Sequence, residues 1–167
     1  MLDERFVNAA TPAGKGMPVV FPSVQGKNLN KVSKTVPDDF TTQHLIAIVA
    51  FQQWHQRNVD QTIELLEKNA FGEQFEIIEI PVIQKATRFR QIRLDALMRA
   101  AIRDHRIRNR TITVYLDKKE FMTSLDIETD ASIHWFVIHH SANTILLRGE
   151  GVITPKDLER ITTATDA

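Results

Sequence analysis

The segment Gln43–Phe51 (QHLIAIVAF) constrains this chain more than any other. It is a mostly continuous apolar run, partly β-branched, which reads as a strand buried on both faces. Such a strand needs cover on each side, and the segments around it supply that cover. Asn58–Ala70 sets Val59, Ile63, Leu66 and Ala70 at helical spacing. Phe75–Ile80 (FEIIEI) reads as a second strand, closed by Pro81 because proline donates no ladder hydrogen bond. A long helix is expected from about Arg88 to His105, with Leu94, Leu97, Met98, Ala101 and Ile102 on one stripe. Arg88, Arg99, Arg103 and Arg106 fall roughly opposite that stripe. Thr111–Asp117 is a third strand and Lys118–Leu125 a short helix. Ile133–His140 and Thr144–Arg148 form a hairpin across Ser141-Ala142-Asn143. A final helix opens with Thr154 as N-cap, Pro155 at its first position and Asp157 three residues after the cap.

Four of the six prolines and three of the six glycines lie in the first 42 residues. That density predicts a flexible arm over residues 1–18, a short strand near Val19–Val24 and a loop ending around Pro37. Residues 19–167 then form one domain, as the length of 167 residues allows. Alternating strands and helices imply an α/β fold in three layers: a mixed sheet with parallel pairs, an antiparallel hairpin at one edge, and helices on both sides.

The chain contains no cysteine, which excludes disulfides, thiolate metal sites, iron–sulfur clusters and thiol catalysis. Lys+Arg and Asp+Glu are both 21, so no overall charge steers the protein toward nucleic acid or membrane. The longest apolar run, Leu45–Phe51, falls far short of the ~20 residues that span a bilayer. Met1–Gly16 has no apolar core like a signal peptide's, so a cytoplasmic location is the expectation, with an organelle or the periplasm the alternative for a chain whose leader has been removed.

The element order, together with Phe51-Gln-Gln-Trp54-His55-Gln-Arg-Asn58 and the ending Ile145–Leu158, resembles the thioredoxin-like superfamily. The version it is similar to carries an inserted helix and strand, as in peroxiredoxins and TlpA-type proteins. The resemblance runs over roughly residues 19–163 and makes Arg88–Asp117 the insertion. Those families place F-x-x-W-C-x-x-C where this chain has His55 and Asn58. A narrower set of short motifs is similar to the ATP-synthase assembly factors with a peroxiredoxin-like fold: Phe21-Pro22, Gly26-Lys27-Asn28-Leu29, Leu97-x-Arg99-x-x-Ile102, Leu125-x-Ile127 and Gly149-x-Gly151. That likeness implies a protein partner from a membrane complex and no redox turnover, while the basic segment Lys85–Arg110 would suit an acidic partner.

Redox chemistry of the thioredoxin type needs a thiolate at a helix N-terminus and a second, resolving thiol. His55 and Asn58 can supply neither. The peroxiredoxin positions for proline and threonine are Ile48 and Gln52. No proline lies between Pro81 and Pro155, so Ile133 or His134 takes the place of the usual cis-proline. A cis bond there would cost ~3–4 kcal/mol, which predicts a trans peptide.

Other chemistry is sparse. His55 could serve as a general base with Arg57 as an anion clamp, its pKa lowered by the helix N-terminus. The plainer expectation for His55 is a polar, solvated helix-start loop. His134, His139 and His140 do not make a metal site: His134 and His140 lie ~20 Å apart along the strand at ~3.3 Å per residue, and neighbours point to opposite faces. No metal and no cofactor are expected. Gly14-Lys15-Gly16 and Gly26-Lys27 lack phosphate-loop spacing. Lys85–Arg110, in contrast, holds nine Lys/Arg against two Asp. It is either a solvated helix face or a partner-binding face, and nucleic acid is disfavoured because only Phe89 interleaves as an aromatic. The expected role is therefore non-enzymatic binding. The candidate residues are Arg88, Arg99, Arg103 and Arg106 on the basic helix, with Trp54, His55, Asn58 and His134 on the rim of the former redox cleft.

Overall fold

The computed structural model describes residues 20–101 and 105–166. The expected arm over residues 1–18 and the candidate Arg103 lie outside the described residues. The apolar run does form a strand, β3 (His44–Ala50), and all seven of its residues are buried. It pairs in parallel with β4 (Phe75–Gln84) from His44↔Phe75 to Ala50↔Pro81, and antiparallel with β6 (His134–His139). Around this centre stand β1 (Val24–Asn28), β2 (Ser33–Val36), β5 (Ile112–Leu116) and β7 (Thr144–Glu150). The seven-stranded sheet has the order β2-β1-β5-β4-β3-β6-β7.

Two apolar layers sandwich the sheet, as a strand buried on both faces demands. Alternation along β3 sends Leu45, Ala47 and Val49 to one layer, with Phe21, Phe40 and Phe121. The same alternation sends Ile46, Ile48 and Ala50 to the other, with Val59, Ile63 and Leu66 of α1 (Gln56–Lys68) and Leu158 and Ile161 of α5 (Pro155–Thr165). Phe121 comes from α4 (Lys118–Ser124), and Phe21 meets Phe136 edge-on at 5.3 Å. Thr154 caps α5 as expected, its hydroxyl accepting from the Asp157 N–H while Asp157 accepts from the Thr154 N–H.

Several expectations change. Of the strand expected near Val19–Val24, the described residues show a single bridge, Val20 to Thr144, and the ladder begins at Val24. The Gly26–Lys34 stretch, expected as loop, makes a hairpin. The Asn28 carboxamide oxygen accepts from the Asn30 and Val32 N–H groups, and Lys31 takes a left-handed φ of 67°. That local side-chain turn is invisible to hydrophobic periodicity. Pro81 does not close β4, which continues to Gln84. Proline stands where pairing with β3 ends and pairing with β5 takes over at Val82↔Val114, a point where a missing donor interrupts neither ladder run.

Where one long helix is expected, the described residues are helical over α2 (Arg88–Ala101) and α3 (His105–Arg110), and Ile102 of the expected stripe lies outside the described residues. That stripe is only partly inward: Leu94 and Met98 are half-buried, while Leu97 is 60% exposed. The Tyr115 hydroxyl holds α2 to the sheet by donating toward Asp95 Oδ1 at 2.8 Å. The β6–β7 connection includes a 3-10 turn at His140–Ala142 with Asn143 left-handed. The peptides at Ile133 and His134 are trans. No helix of the described residues is long and apolar enough to cross a membrane.

Gly149 is set by packing. A Cβ there would overlap the Trp135 indole, which is itself 1% exposed and held between the sheet and the α1/α5 layer. Gly149→Ala should therefore lower stability by ~1–3 kcal/mol, the usual cost of overpacking a filled core. Urea denaturation gives the value; a change below about 0.5 kcal/mol would mean that the indole shifts freely.

Candidate functional site

β3 ends at Ala50, the chain passes Phe51 and Gln52, and a 3-10 turn at Gln53–His55 delivers it into α1. This junction holds four of the candidate residues, and the structure treats them differently. Trp54 is 62% exposed, Arg57 is exposed and Asn58 is half-buried. His55 is fully buried, which corrects the expectation of a solvated loop. Its imidazole turns inward and closes the junction. Nδ1 accepts from the Phe51 N–H at 3.0 Å and the Gln52 N–H at 3.2 Å. With Nδ1 occupied as an acceptor, the ring proton belongs to Nε2, which lies 3.3 Å from the Ala131 carbonyl and donates to it. Burial pushes the pKa down; the Ala131 contact and Asp130 oppose that, and Lys118 adds to it.

The loop that receives His55 is tied down a second time. The Asp130 carboxylate accepts from the Gln52 carboxamide and from the Lys118 ammonium, both at 2.8 Å. The Lys118 contact holds the Asp130 pKa below the usual carboxylate range. A shallow hollow of about 360 Å³ opens beside this clasp, lined by Gln84, Lys118, Met122, Glu128 and Asp130 among others. It sits at the carboxyl ends of the parallel strands, where α/β sheets generally receive ligands.

His134 approaches the same junction from β6. It is buried, meets the Phe51 ring at 6.2 Å, and its Nε2 has no hydrogen-bond partner. Burial is the main cause of its lowered pKa; Glu150 opposes that, and Arg148 and His55 add to it. Trp54, His55 and His134 thus gather around one strand end. The described basic candidates belong to other elements. Arg88 and Arg99 stand on α2 and Arg106 on α3. Among the described residues no group of three His, Asp or Glu side chains converges as a metal site.

Sequence reasoning passed over Glu79. It lies in β4 beneath the start of α1, 1% exposed, with the Thr111 hydroxyl 3.5 Å from its carboxylate. Its pKa is pushed up to about 7, first by burial and then by Asp60, against the lowering effects of Gln56, Arg110 and Thr111. A signal was available: a carboxylate in the middle of a strand read as covered on both faces has nowhere to meet water.

No protein-family profile matches the chain, and no curated protein matches it in sequence. Solved structures do match in fold. A DsbF homologue from Corynebacterium diphtheriae is 16% identical, with a TM-score of 0.53 over 90% of this chain and 88% of that one. A thiol:disulfide interchange protein of the DsbE type from Chlorobium tepidum is 13% identical, with a TM-score of 0.56 over 89% of this chain and 99% of that one. The exposed lipoprotein thioredoxin of Streptococcus pneumoniae is 7% identical, with a TM-score of 0.56 over 87% and 100%. The chain therefore has the thioredoxin-like α/β fold, carried without any cysteine.

Two outcomes follow from this geometry. His55→Ala leaves two backbone donors and one carbonyl short of a partner, so stability should fall by ~2–4 kcal/mol, read by denaturant unfolding. Glu79 binds its proton more tightly folded than unfolded, so its effect is absent below pH 4.5 and costs stability as pH rises toward 7. Relative to Glu79→Gln, the natural chain should lose at most about 3 kcal/mol between pH 4.5 and pH 8. Parallel pH dependences for the two proteins would remove Glu79 from that account.

Proposed function

We propose that this chain is a redox-inactive, thioredoxin-like binding module of the assembly type, whose contact surface is α2 together with the rim at Trp54 and Asn58, with His134 buried beneath it. The observation that carries the reading is the outer face of α2. Ile92 and Leu97, 58% and 60% exposed, are two of the five large apolar side chains most open to water among the described residues. Exposed Arg90 and Arg93 stand beside them. A helix that leaves apolar side chains in water between guanidinium groups is suited to a partner presenting apolar contacts with acidic neighbours. The excess of basic residues from Lys85 to Arg110 would speed the encounter with such a surface.

The clasp geometry supports the non-catalytic side of this reading. A general base must offer a free lone pair to a substrate proton. In His55 that lone pair is held by two backbone N–H groups, behind the exposed Trp54 ring at 4.4 Å. Arg57 faces solvent, without a buried cleft to share with the imidazole. The motifs similar to ATP-synthase assembly factors favour a subunit of a membrane complex as the partner. The segment Leu97-x-Arg99 lies on the same helix that carries the exposed apolar pair.

The test is co-purification from the native host with tagged full-length chain, compared with Arg90→Glu/Arg93→Glu. We expect one acidic partner, released by raised salt and lost in the double variant, with unfolding midpoints of the two proteins within a few degrees. Capture that survives both high salt and charge reversal would overturn the basic-face reading.

A further inference from the structure

A second hollow, of about 240 Å³, lies away from the clasp. Its walls include Glu76 and Ile78 from the amino-terminal half of β4, whereas Gln84, at the carboxyl end of that strand, lines the first hollow. The two openings thus belong to opposite ends of β4. On its β5 side, β4 has no ladder partner below the bridge Glu79↔Thr111, so the sheet leaves a notch there.

The chemistry of the notch is specific. Its floor is apolar, made by Ile78 and by Phe40, which is 8% exposed. Two cations line it. Lys34 holds its ammonium 5.6 Å from the centre of the Phe40 ring. Arg110 gives one guanidinium nitrogen to Glu67 at 2.7 Å, while its Nε is buried without a hydrogen-bond partner. Two carboxylates line it as well, Glu76 and Asp39, one of whose oxygens accepts from the Thr35 N–H.

These groups select among ligands. A buried donor without an acceptor is costly, so Arg110 favours a molecule that brings a carboxylate. Phosphate or another dianion would bring its charge against Asp39 and Glu76, and an isolated amine would meet Lys34 and Arg110. A molecule with a carboxylate and an ammonium close together answers both kinds of charge, and an aliphatic side chain would cover Phe40 and Ile78. The volume equals roughly eight water molecules at ~30 Å³ each, which suits a small metabolite. We propose that this notch is a binding site for a free α-amino acid, oriented by Lys34 and Arg110 on its carboxylate and by Asp39 and Glu76 on its ammonium.

Amide-resolved NMR titration of the full chain tests this with L-leucine, L-serine and L-glutamate as probes. Two controls carry one charge each, 4-methylpentanoate and isopentylamine, and inorganic phosphate is the dianion control. At least one amino acid should shift the amides of residues 34, 39–41, 76 and 78 saturably, with an affinity near or below about 1 mM. The controls should bind at least about tenfold more weakly. Lys34→Glu and Glu76→Lys should each weaken binding by about tenfold, the change expected for 1.4 kcal/mol. Thr41→Trp, which fills the opening without changing charge, should abolish binding while the rest of the spectrum is retained. Equal binding of a singly charged control would overturn the zwitterion assignment. Absence of saturable shifts with all three amino acids, or binding that persists in Thr41→Trp, would overturn the site.

Discussion

Burial of β3 on both faces is the constraint from which the rest of this molecule follows. A strand that shows water neither of its faces cannot stand at an edge, and it cannot be left with one layer of helices. β4 and β6 therefore take its two sides, and the two apolar layers take its two faces. The same condition governs how the strand may end. Where β3 stops at Ala50, the next backbone N–H groups lie inside the protein, beyond the ladder and before the first helical turn. Leaving them unpaired would cost ~1–3 kcal/mol each. The His55 imidazole accepts from both and reaches on to Ala131, so one side chain completes the strand end and fixes the facing loop.

That arrangement explains why the residue in the position of an attacking cysteine contributes structure here. A nucleophile in the thioredoxin position must present its reactive atom to a substrate, so it has to sit at the surface of the helix start. His55 turns the other way, and Trp54 takes the exposed place. The sequence pattern F-x-x-W-H is then a record of the fold's geometry without its chemistry. The fold does not bring a function with it, and surface groups have to carry that argument.

Readability from sequence followed the kind of physics that made each element. β3, α1 and the capped α5 rest on periodicity and cap chemistry, and these were visible as runs of residue types. The β1–β2 hairpin was missed because one carboxamide, Asn28, organises it through its own backbone contacts. The extension of β4 through Pro81 was missed because the rule about proline concerns a donor needed at one place, and that place depends on which neighbour the strand has. Leu97 was assigned to the core because an apolar residue at helical spacing usually is; its exposure comes from how α2 rides on the sheet, held at Asp95 by Tyr115. Within the candidate site, the grouping of Trp54, His55 and His134 was readable from the resemblance. The direction of the imidazole was not, since spacing says where a residue lies along the chain and nothing about which way its ring turns.

The distribution of charge gives the last step. With a formal balance of zero, the nine basic residues against two acidic ones between Lys85 and Arg110 leave twelve against nineteen elsewhere. The segment Lys85–Arg110 is basic, and the rest of the chain is acidic by the same margin. A chain of uniform composition would have no reason to separate its charges this way, since mixed signs suffice for a solvated surface. Part of the separation is used internally, as in the Arg110–Glu67 pair that ties α3 to α1. The outward side chains of α2, Arg90 and Arg93 beside Ile92 and Leu97, face water with the opposite sign from the body behind them. Because α2 lies outside the sheet, it can carry such a charged surface without disturbing the doubly buried strand beneath it.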